Sequence, residues 1–348
     1  MRHGRRIPVR LPRNAILLAS IVWSTGCDEP LGVPPGVPSV DPPSPMSDPF
    51  NLQGQLAFVS GRDGNDEIYV VSANGSGLSR LTADTASDRS PVWSPDGSRI
   101  AFARGSAAAD IYVMDADGSE VELRASGRSA GEPAWSPDGS TLAFQVVHDG
   151  SAHVATVGSS GSGADAVIAF LRDAPGYDGQ PSWSPDGLRL AVVSDSRAYD
   201  FVLDVYTMNA DGTDRVLRTP GSFLGPSLSL AQHPEWSPDG TMIAFVHAGG
   251  VVSSASVGTV RFTVRVMSAE GTFIKDAAWA GDIDFLQELD PGSLTWSPDG
   301  RGIAYSFVDC NLRSGGSCSG ARSVRYASLD GKELATIVSD AHSPSWRR

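Results

Sequence analysis

The sequence predicts an all-β protein, a six-bladed β-propeller of four-stranded antiparallel blades whose ring is closed by the N- and C-terminal strands. Three observations predict it. The string W-S-P-D-G occurs five times, at Trp93, Trp135, Trp183, Trp236 and Trp296, and a sixth copy is cut short at Ser343-Pro344-Ser345-Trp346. The spacings of 42, 48, 53, 60 and 50 residues suit one supersecondary unit per repeat. Between copies run short alternating strands separated by tight turns.

Within each copy the elements follow in a fixed order. Proline stands two before the tryptophan at Pro91, Pro133, Pro181, Pro234 and Pro344, with Leu294 the exception. Ser-Pro-Asp-Gly then favours a type I turn, because proline presets φ at the second position and glycine suits the fourth. A strand follows, as in Arg99-Ile-Ala-Phe102 or Thr241-Met-Ile-Ala-Phe245. The next strand starts at Ile68, Ile111, Val205, Val264 and Val324, and a turn then ends in Gly75, Gly118, Gly212, Gly271 or Gly331. Asn-Gly and Asp-Gly tolerate the positive φ of a hairpin turn. A short fourth strand, such as Leu78-Ser-Arg-Leu-Thr82, completes the blade.

One blade cannot cover both its faces, so the blades must stack. The repeated Trp and Phe are expected between neighbours, and Asp96 and its equivalents in turns. The first strand, Gln55-Leu-Ala-Phe58, lacks a preceding P-x-W, and the last P-x-W, ending at Trp346, lacks a following strand. The two chain ends are therefore expected to share a blade, giving six blades over residues 54–348.

The pattern P-x-W-S-P-D-G, then I-A-F, then D-I-Y-V-M-x-A-D-G (Asp110 to Gly118) resembles the PD40 or WD40-like propeller repeat. That repeat builds the C-terminal propeller of TolB, a periplasmic protein of the Tol–Pal envelope system, and propellers attached to some serine peptidases. The resemblance covers nearly all of residues 54–348. It implies the fold, whereas one fold hosts many functions. TolB-type proteins also have an N-terminal α/β domain where this sequence has a proline-rich segment, so the resemblance does not carry a TolB role with it.

The N-terminal region reads as export and tethering. Arg2, Arg5, Arg6, Arg10 and Arg13 precede an apolar run from Ala15 to Trp23. The run is too short for a transmembrane helix, which needs about 20 apolar residues, and suits a signal peptide over residues 1–26. Ser24-Thr25-Gly26-Cys27 resembles the lipobox of bacterial lipoproteins, which implies lipidation of Cys27. Ser24 departs from the usual aliphatic residue, and plain cleavage is the alternative. Asp28 resembles an inner-membrane retention signal. Residues 28–50 hold eight prolines, so 27–53 is expected to be a semi-rigid tether. Cys310 and Cys318 lie in a Gly/Ser-rich stretch. In an oxidising compartment they predict a loop disulfide, with a metal pair as the alternative.

Charge excludes one class of partner. The 27 basic residues include five within 1–26, which leaves 22 against 40 acids, a formal net charge of −18. Such a surface repels phosphate backbones, so no nucleic-acid partner is expected. It also disfavours anionic lipid, leaving the lipid anchor as the only membrane contact.

Several motifs bear on chemistry. Gly127-Arg-Ser129-Ala-Gly131 matches G-x-S-x-G but lies between blades, without the strand–helix setting of a nucleophile elbow. His148 and His153 flank a hairpin turn and could reach one metal, although histidines so placed are commonly just exposed. His247 is expected at the rim. The run Arg62-Asp-Gly-Asn-Asp66 hints at calcium but lacks the spaced carboxylates of a calcium loop. No catalytic residue, cofactor or metal is assigned.

Ring geometry supplies one constellation. The resemblance implies that the P-x-W strand is innermost, which brings its first residues to the mouth of a central channel. Three before each tryptophan stand Ser90, Glu132, Gln180, His233, Ser293 and Ser343. One residue earlier stand Arg89, Gly131, Gly179, Gln232, Gly292 and His342. Ser90, Glu132, Gln180, His233, Ser293 and Ser343, with Arg89 and His342, are the binding candidates.

The sequence thus favours a membrane-anchored module in the cell envelope, facing periplasm or exterior, that binds envelope proteins or peptides. The alternative is a metal-dependent lactonase or other hydrolase using the channel. It is disfavoured because this ring offers a single acid, Glu132. Long segments expected as loops, Thr219–Gln232, Val246–Thr263, Trp279–Pro291 and Cys310–Cys318, would supply the partner surface.

Overall fold

The computed structural model describes residues 52–347 except 107–108, 127–128, 161–168, 172–175, 196–201, 220–226, 252–258, 285–292, 309–321 and 332–333. Cys27, Cys310, Cys318 and Gly292 lie outside the described residues, as do the signal segment and nearly all of the tether. Among the described residues no helix is long and apolar enough to cross a membrane.

The strands come in chain order as β1 (Gln55–Ser60), β2 (Glu67–Ser72) and β3 (Ser79–Arg80), then β4 (Asp88–Trp93), β5 (Arg99–Arg104), β6 (Asp110–Asp115) and β7 (Glu122–Ala125). Next are β8 (Gly131–Trp135), β9 (Thr141–His148), β10 (Ser151–Gly158) and β11 (Ala169–Phe170), followed by β12 (Asp178–Trp183), β13 (Arg189–Ser194), β14 (Val202–Asn209) and β15 (Val216–Leu217). The remainder are β16 (Ser227–Trp236), β17 (Met242–Val251), β18 (Thr259–Ser268), β19 (Phe273–Asp284), β20 (Leu294–Trp296), β21 (Gly302–Val308), β22 (Arg322–Ser328), β23 (Leu334–Ser339) and β24 (His342–Trp346).

Consecutive strands pair antiparallel. The sheet orders are β24-β1-β2-β3, β4-β5-β6-β7, β11-β10-β9-β8 and β20-β21-β22-β23. A fifth sheet runs β12-β13-β14-β16-β17-β18-β19, with β15 also on β14. Its two antiparallel halves are joined by one parallel contact, Val202 opposite Ser229 and Leu203 opposite Leu230. The last strand pairs with the first, with Leu56 opposite Trp346 and Ala57 opposite Ser345.

Each P-x-W ends a strand, and W-S-P-D-G turns the chain into the next one. At Ser94 to Gly97 the Gly97 N–H donates to the Ser94 carbonyl at 2.8 Å, closing the turn. The Ser94 hydroxyl donates to Asp96 Oδ1 at 2.6 Å and accepts from the Arg99 N–H at 2.9 Å. The same hydroxyl–carboxylate bond recurs at Asp138, Asp186, Asp239 and Asp299. Every Ser and Asp of the repeat therefore satisfies backbone that the turn leaves unpaired.

The core lies between sheets. Ala57, Ile68 and Val70 of the first sheet pack with Trp93, Ile100, Phe102 and Met114 of the next. Phe102 is fully buried and contributes about 2–3 kcal/mol by leaving water. Stacked sheets cover both faces of the middle strands, which explains why β1, β5 and β9 read as nearly continuous apolar runs.

The structure corrects three of the expected loops. Residues 227–232, 246–251, 259–263 and 279–284 are strand, not loop, and lengthen β16 to β19 to between 10 and 12 residues. Alternation in Ser227-Leu-Ser-Leu230 and in Val260-Arg-Phe-Thr-Val264 is the physical reason, since period two favours pairing wherever a partner strand exists. The six residues of β16 before His233 add about 20 Å of strand at ~3.3 Å each.

Candidate functional site

A cavity of about 340 Å³ lies between the P-x-W strands, and β4, β8, β12, β16, β20 and β24 all contribute to its lining. Pro91, Pro133, Pro181, Pro234 and Pro344 line it together with Leu294. Proline fits there because it has no N–H to leave unpaired on the strand edge facing the space. The turn prolines Pro95, Pro137 and Pro185 also belong to the lining.

Ser90, Glu132, Gln180, His233 and Ser293 all line the cavity. Their backbone is unusual. Ser90, Glu132, Gln180, His233 and Ser343 have φ of 50°, 50°, 52°, 49° and 51°. A β-bulge accompanies this, with one extra residue between Arg89 and Val92, Gly131 and Ala134, Gly179 and Ser182, and Gln232 and Glu235. A left-handed residue with a Cβ costs roughly 1–2 kcal/mol, and such strain gathers where function requires it.

Three of these side chains from neighbouring strands form an arc. The His233 N–H donates to Gln180 Oε1 at 2.8 Å, and Gln180 Nε2 is 3.4 Å from His233 Nε2. His233 Nδ1 is 3.9 Å from Glu132 Oε2, and its side chain is buried. The other three positions are serines.

Arg89, His342 and Ser343 are not among the lining residues and gather elsewhere. Arg89 Nε donates to Asp66 Oδ2 at 3.3 Å, and His342 Nε2 is 4.0 Å from Asp66 Oδ1. His342 Nδ1 is 3.0 Å from the Ser343 hydroxyl, and the Ser343 N–H donates to the Ser306 hydroxyl at 2.9 Å. Burial works to raise the Asp66 pKa, but His342 and Arg89 outweigh it and hold the carboxyl below its ordinary value. Asp66 so links the closing strand β24 to β4.

The sequence reading missed the residue between Pro and Trp. Ser182, Glu235, Thr295 and Ser345 at that position all line the cavity. Glu235 is a second acid, which corrects the expectation of one; Thr295 Oγ1 donates to its Oε1 at 3.3 Å. The hydroxyls also tie neighbouring strands. Trp93 N–H donates to Ser345 Oγ at 3.2 Å, Trp236 N–H to Ser182 Oγ at 3.3 Å and Trp346 N–H to Thr295 Oγ1 at 3.2 Å. Their signal is polarity at the x of P-x-W where Val92 and Ala134 stand in other copies.

The remaining candidates sit apart from the cavity lining. Ser129 is followed by β8 rather than a helix, unlike a nucleophile elbow. The His148 and His153 rings are 6.4 Å apart at 59°, and His148 is half-buried. His153 is buried, contrary to expectation, because the eight-residue strands β9 and β10 carry it under neighbouring structure. His247 is half-buried, and burial, with Arg265 adding to it, pushes its pKa down to about 4. In the 62–66 loop Asp63 accepts from the Tyr69 hydroxyl, and Asp66 is held as described. Among the described residues no three His, Cys, Asp or Glu side chains are grouped to hold a metal ion.

Comparison with known proteins agrees with the architecture. Residues 48–169 match a family model described as PD40, the TolB beta propeller domain. A Protein TolB homolog of Chlorobium luteolum is 29% identical over 193 residues, 56% of this chain and 31% of that protein. The chain thus spans about a third of the length of that curated relative. Among solved structures, TolB from Acinetobacter baumannii superposes with a TM-score of 0.66 at 18% identity, covering 84% of this chain and 66% of that one. A putative TolB from Agrobacterium tumefaciens gives 0.53 at 17%, covering 83% and 89%. At such identities the likeness is one of fold, an all-β fold of the TolB propeller type.

Proposed function

We propose that this chain is an exported scaffold of the cell envelope, a six-bladed β-propeller that binds protein or peptide partners at the mouth of its central cavity. One observation carries the reading: residues of six P-x-W strands line the same cavity, and several of them are polar side chains held on a strained backbone. The likeness to TolB supports an envelope setting and protein partners.

In this reading residues 1–26 leave as a signal peptide, Cys27 takes a lipid, and 27–53 tether the ring. Residues 54–348 form the blades, with β24 as the inner strand of the blade that holds β1 to β3. Cys310 and Cys318 join in a disulfide. Ser90, Glu132, Gln180, His233 and Ser293 meet the partner, and Arg89, His342 and Ser343 support the mouth from behind. β16, which carries His233, and β17 to β19 paired outward from it are lengthened and extend the sheet against which a partner rests.

Photo-crosslinking in cells tests it. A benzophenone amino acid at Ser90 is expected to trap a discrete partner that the same probe at exposed Leu334 does not. Identical bands from both positions, or none from Ser90, would remove the cavity mouth as the binding surface. Intact mass of the envelope-extracted protein tests the anchor: an acylated Cys27 at the N-terminus is expected, and an unmodified one ends the lipoprotein reading.

A further inference from the structure

The repeats can be compared with one another inside this chain. Tryptophan stands in all six P-x-W copies, the turn aspartate in all five complete W-S-P-D-G copies and proline in five of six. Those residues do the same structural work each time. Three before the tryptophan the backbone is also the same, with φ between 49° and 52° at five positions. Yet the side chains differ: Ser90, Glu132, Gln180, His233, Ser293 and Ser343. Glycine and asparagine are what a left-handed backbone alone favours, and neither occurs at any copy. The backbone therefore does not explain the choice of side chain. Five of the six side chains, Ser90, Glu132, Gln180, His233 and Ser293, line the cavity.

The six positions are also lopsided. Three neighbouring strands carry Glu132, Gln180 and His233, joined through the 2.8 Å bond to the His233 N–H and the 3.9 Å approach of Glu132. The other three carry serine. The cavity beneath adds a second carboxylate, Glu235, and no lysine or arginine is among its described lining residues. Its volume, about 340 Å³, sits at the small end of ligand pockets, which run from about 300 to 1,000 Å³. Its walls are proline rings and tryptophan.

We propose that the Glu132–Gln180–His233 arc recognises the protonated amine at the end of a short peptide or comparable small ligand, whose apolar body enters the proline collar. The left-handed backbone aims the three side chains, Glu132 meets the positive charge, Glu235 adds to the negative potential of the same cavity, and Gln180 holds the His233 backbone N–H. This rests on the reading of the cavity mouth as a binding site and names the chemistry it selects.

The test uses the folded chain and two probes, the tripeptide amide Ala-Leu-Ala-NH2 and its N-acetylated form, titrated by NMR on 15N-labelled indole signals. The free amine is expected to shift the Trp135 and Trp183 signals. Acetylation and Glu132→Gln should each weaken binding roughly ten- to a hundredfold, as losing one charged hydrogen-bond partner does. Gln180→Gly and His233→Gly should lose binding while staying folded in the 15N spectrum, because glycine relieves the left-handed φ and so offsets part of the cost of the lost acceptor for the His233 N–H or of the lost buried ring. Equal binding of both peptides, full binding by Glu132→Gln, or glycine variants that bind like wild type would overturn the proposal. Failure of both peptides to bind would overturn it too. The scaffold reading is judged separately by the Ser90 crosslink, because Ser90 lies on the serine side and needs no amine.

Discussion

Removing the Trp346 side chain should destabilise the whole protein, not only its last strand. Trp346 is buried among Leu56, Phe58, Tyr69 and Tyr326, so it joins the first sheet to its neighbour. Its indole meets the Tyr326 ring edge-on at 6.0 Å and donates Nε1 to the Gln53 carbonyl at 2.9 Å. Arg347 beside it donates its N–H to the Gln55 carbonyl and lies 5.0 Å over the Trp93 ring of the following sheet. Truncating a buried tryptophan to alanine costs about 3–5 kcal/mol, a large share of a typical stability of 5–15 kcal/mol. Equilibrium urea unfolding of Trp346→Ala, followed by far-UV circular dichroism, should show that loss at an unchanged denaturant slope. Leu334→Ala, at 62% exposure, should stay within about 0.5 kcal/mol of wild type. Deleting residues 342–348 should also raise amide exchange in β4 and β5, because Ser345 and Arg347 contact Trp93. A Trp346→Ala variant within about 1 kcal/mol of wild type, or exchange confined to β1 after the deletion, would refute the coupling of the chain ends.

Further consequences can be measured in the same way. Hydrogen bonds from Ser94 and Ser136 hold Asp96 and Asp138 down to about 2, and Asp186 and Asp239 are lowered by Ser184 and Ser237. A depressed carboxylate stabilises above its unfolded value and loses that as pH falls, so the melting temperature should drop between about pH 4 and pH 2, less steeply in Asp96→Asn. The Asp88 side chain is fully buried with Arg104 bonded to both its oxygens at 2.7 Å, so Asp88→Ala should cost about 3–5 kcal/mol in urea unfolding. Asp84→Ala, which removes the more exposed partner of the same arginine, should cost at most about 1 kcal/mol. Gly118→Ala should lower the melting temperature by several degrees, since φ is +89° and a Cβ would stand 2.7 Å from the Leu81 carbonyl oxygen.

What could be read from the sequence was what local chemistry decides. The turn at Ser94 to Gly97 follows from Pro95, Asp96 and Gly97 alone, and the runs beginning at Ile68, Ile111, Val205, Val264 and Val324 all fall inside strands. Contacts between distant residues were legible only where the repeat implied them. The pairing of β24 with β1 followed from a missing P-x-W at one end and a missing strand at the other. The link from Asp66 to both Arg89 and His342 had no such cue, because it joins a loop to two strands far apart in the chain. Arg347 over Trp93 is hidden for the same reason.

The cavity shows where the two kinds of information part. Part of its lining was legible, because the P-x-W residues recur from copy to copy and all six copies contribute to it. Its backbone was not: Ser90, Glu132, Gln180 and His233 carry no glycine signal for a left-handed φ, and only the proline after each marks the place. Proline by itself pushes the residue before it toward extended conformations with negative φ, so the left-handed φ there comes with the bulge. The strained set and the repeated proline are thus adjacent in five of the six copies, Ser293-Leu294 being the exception. Pro and Trp fix a rigid wall, and the residue one step before the proline is free to differ because its backbone is already determined. A scaffold built this way can change what it binds one strand at a time without disturbing the packing that holds the strands together.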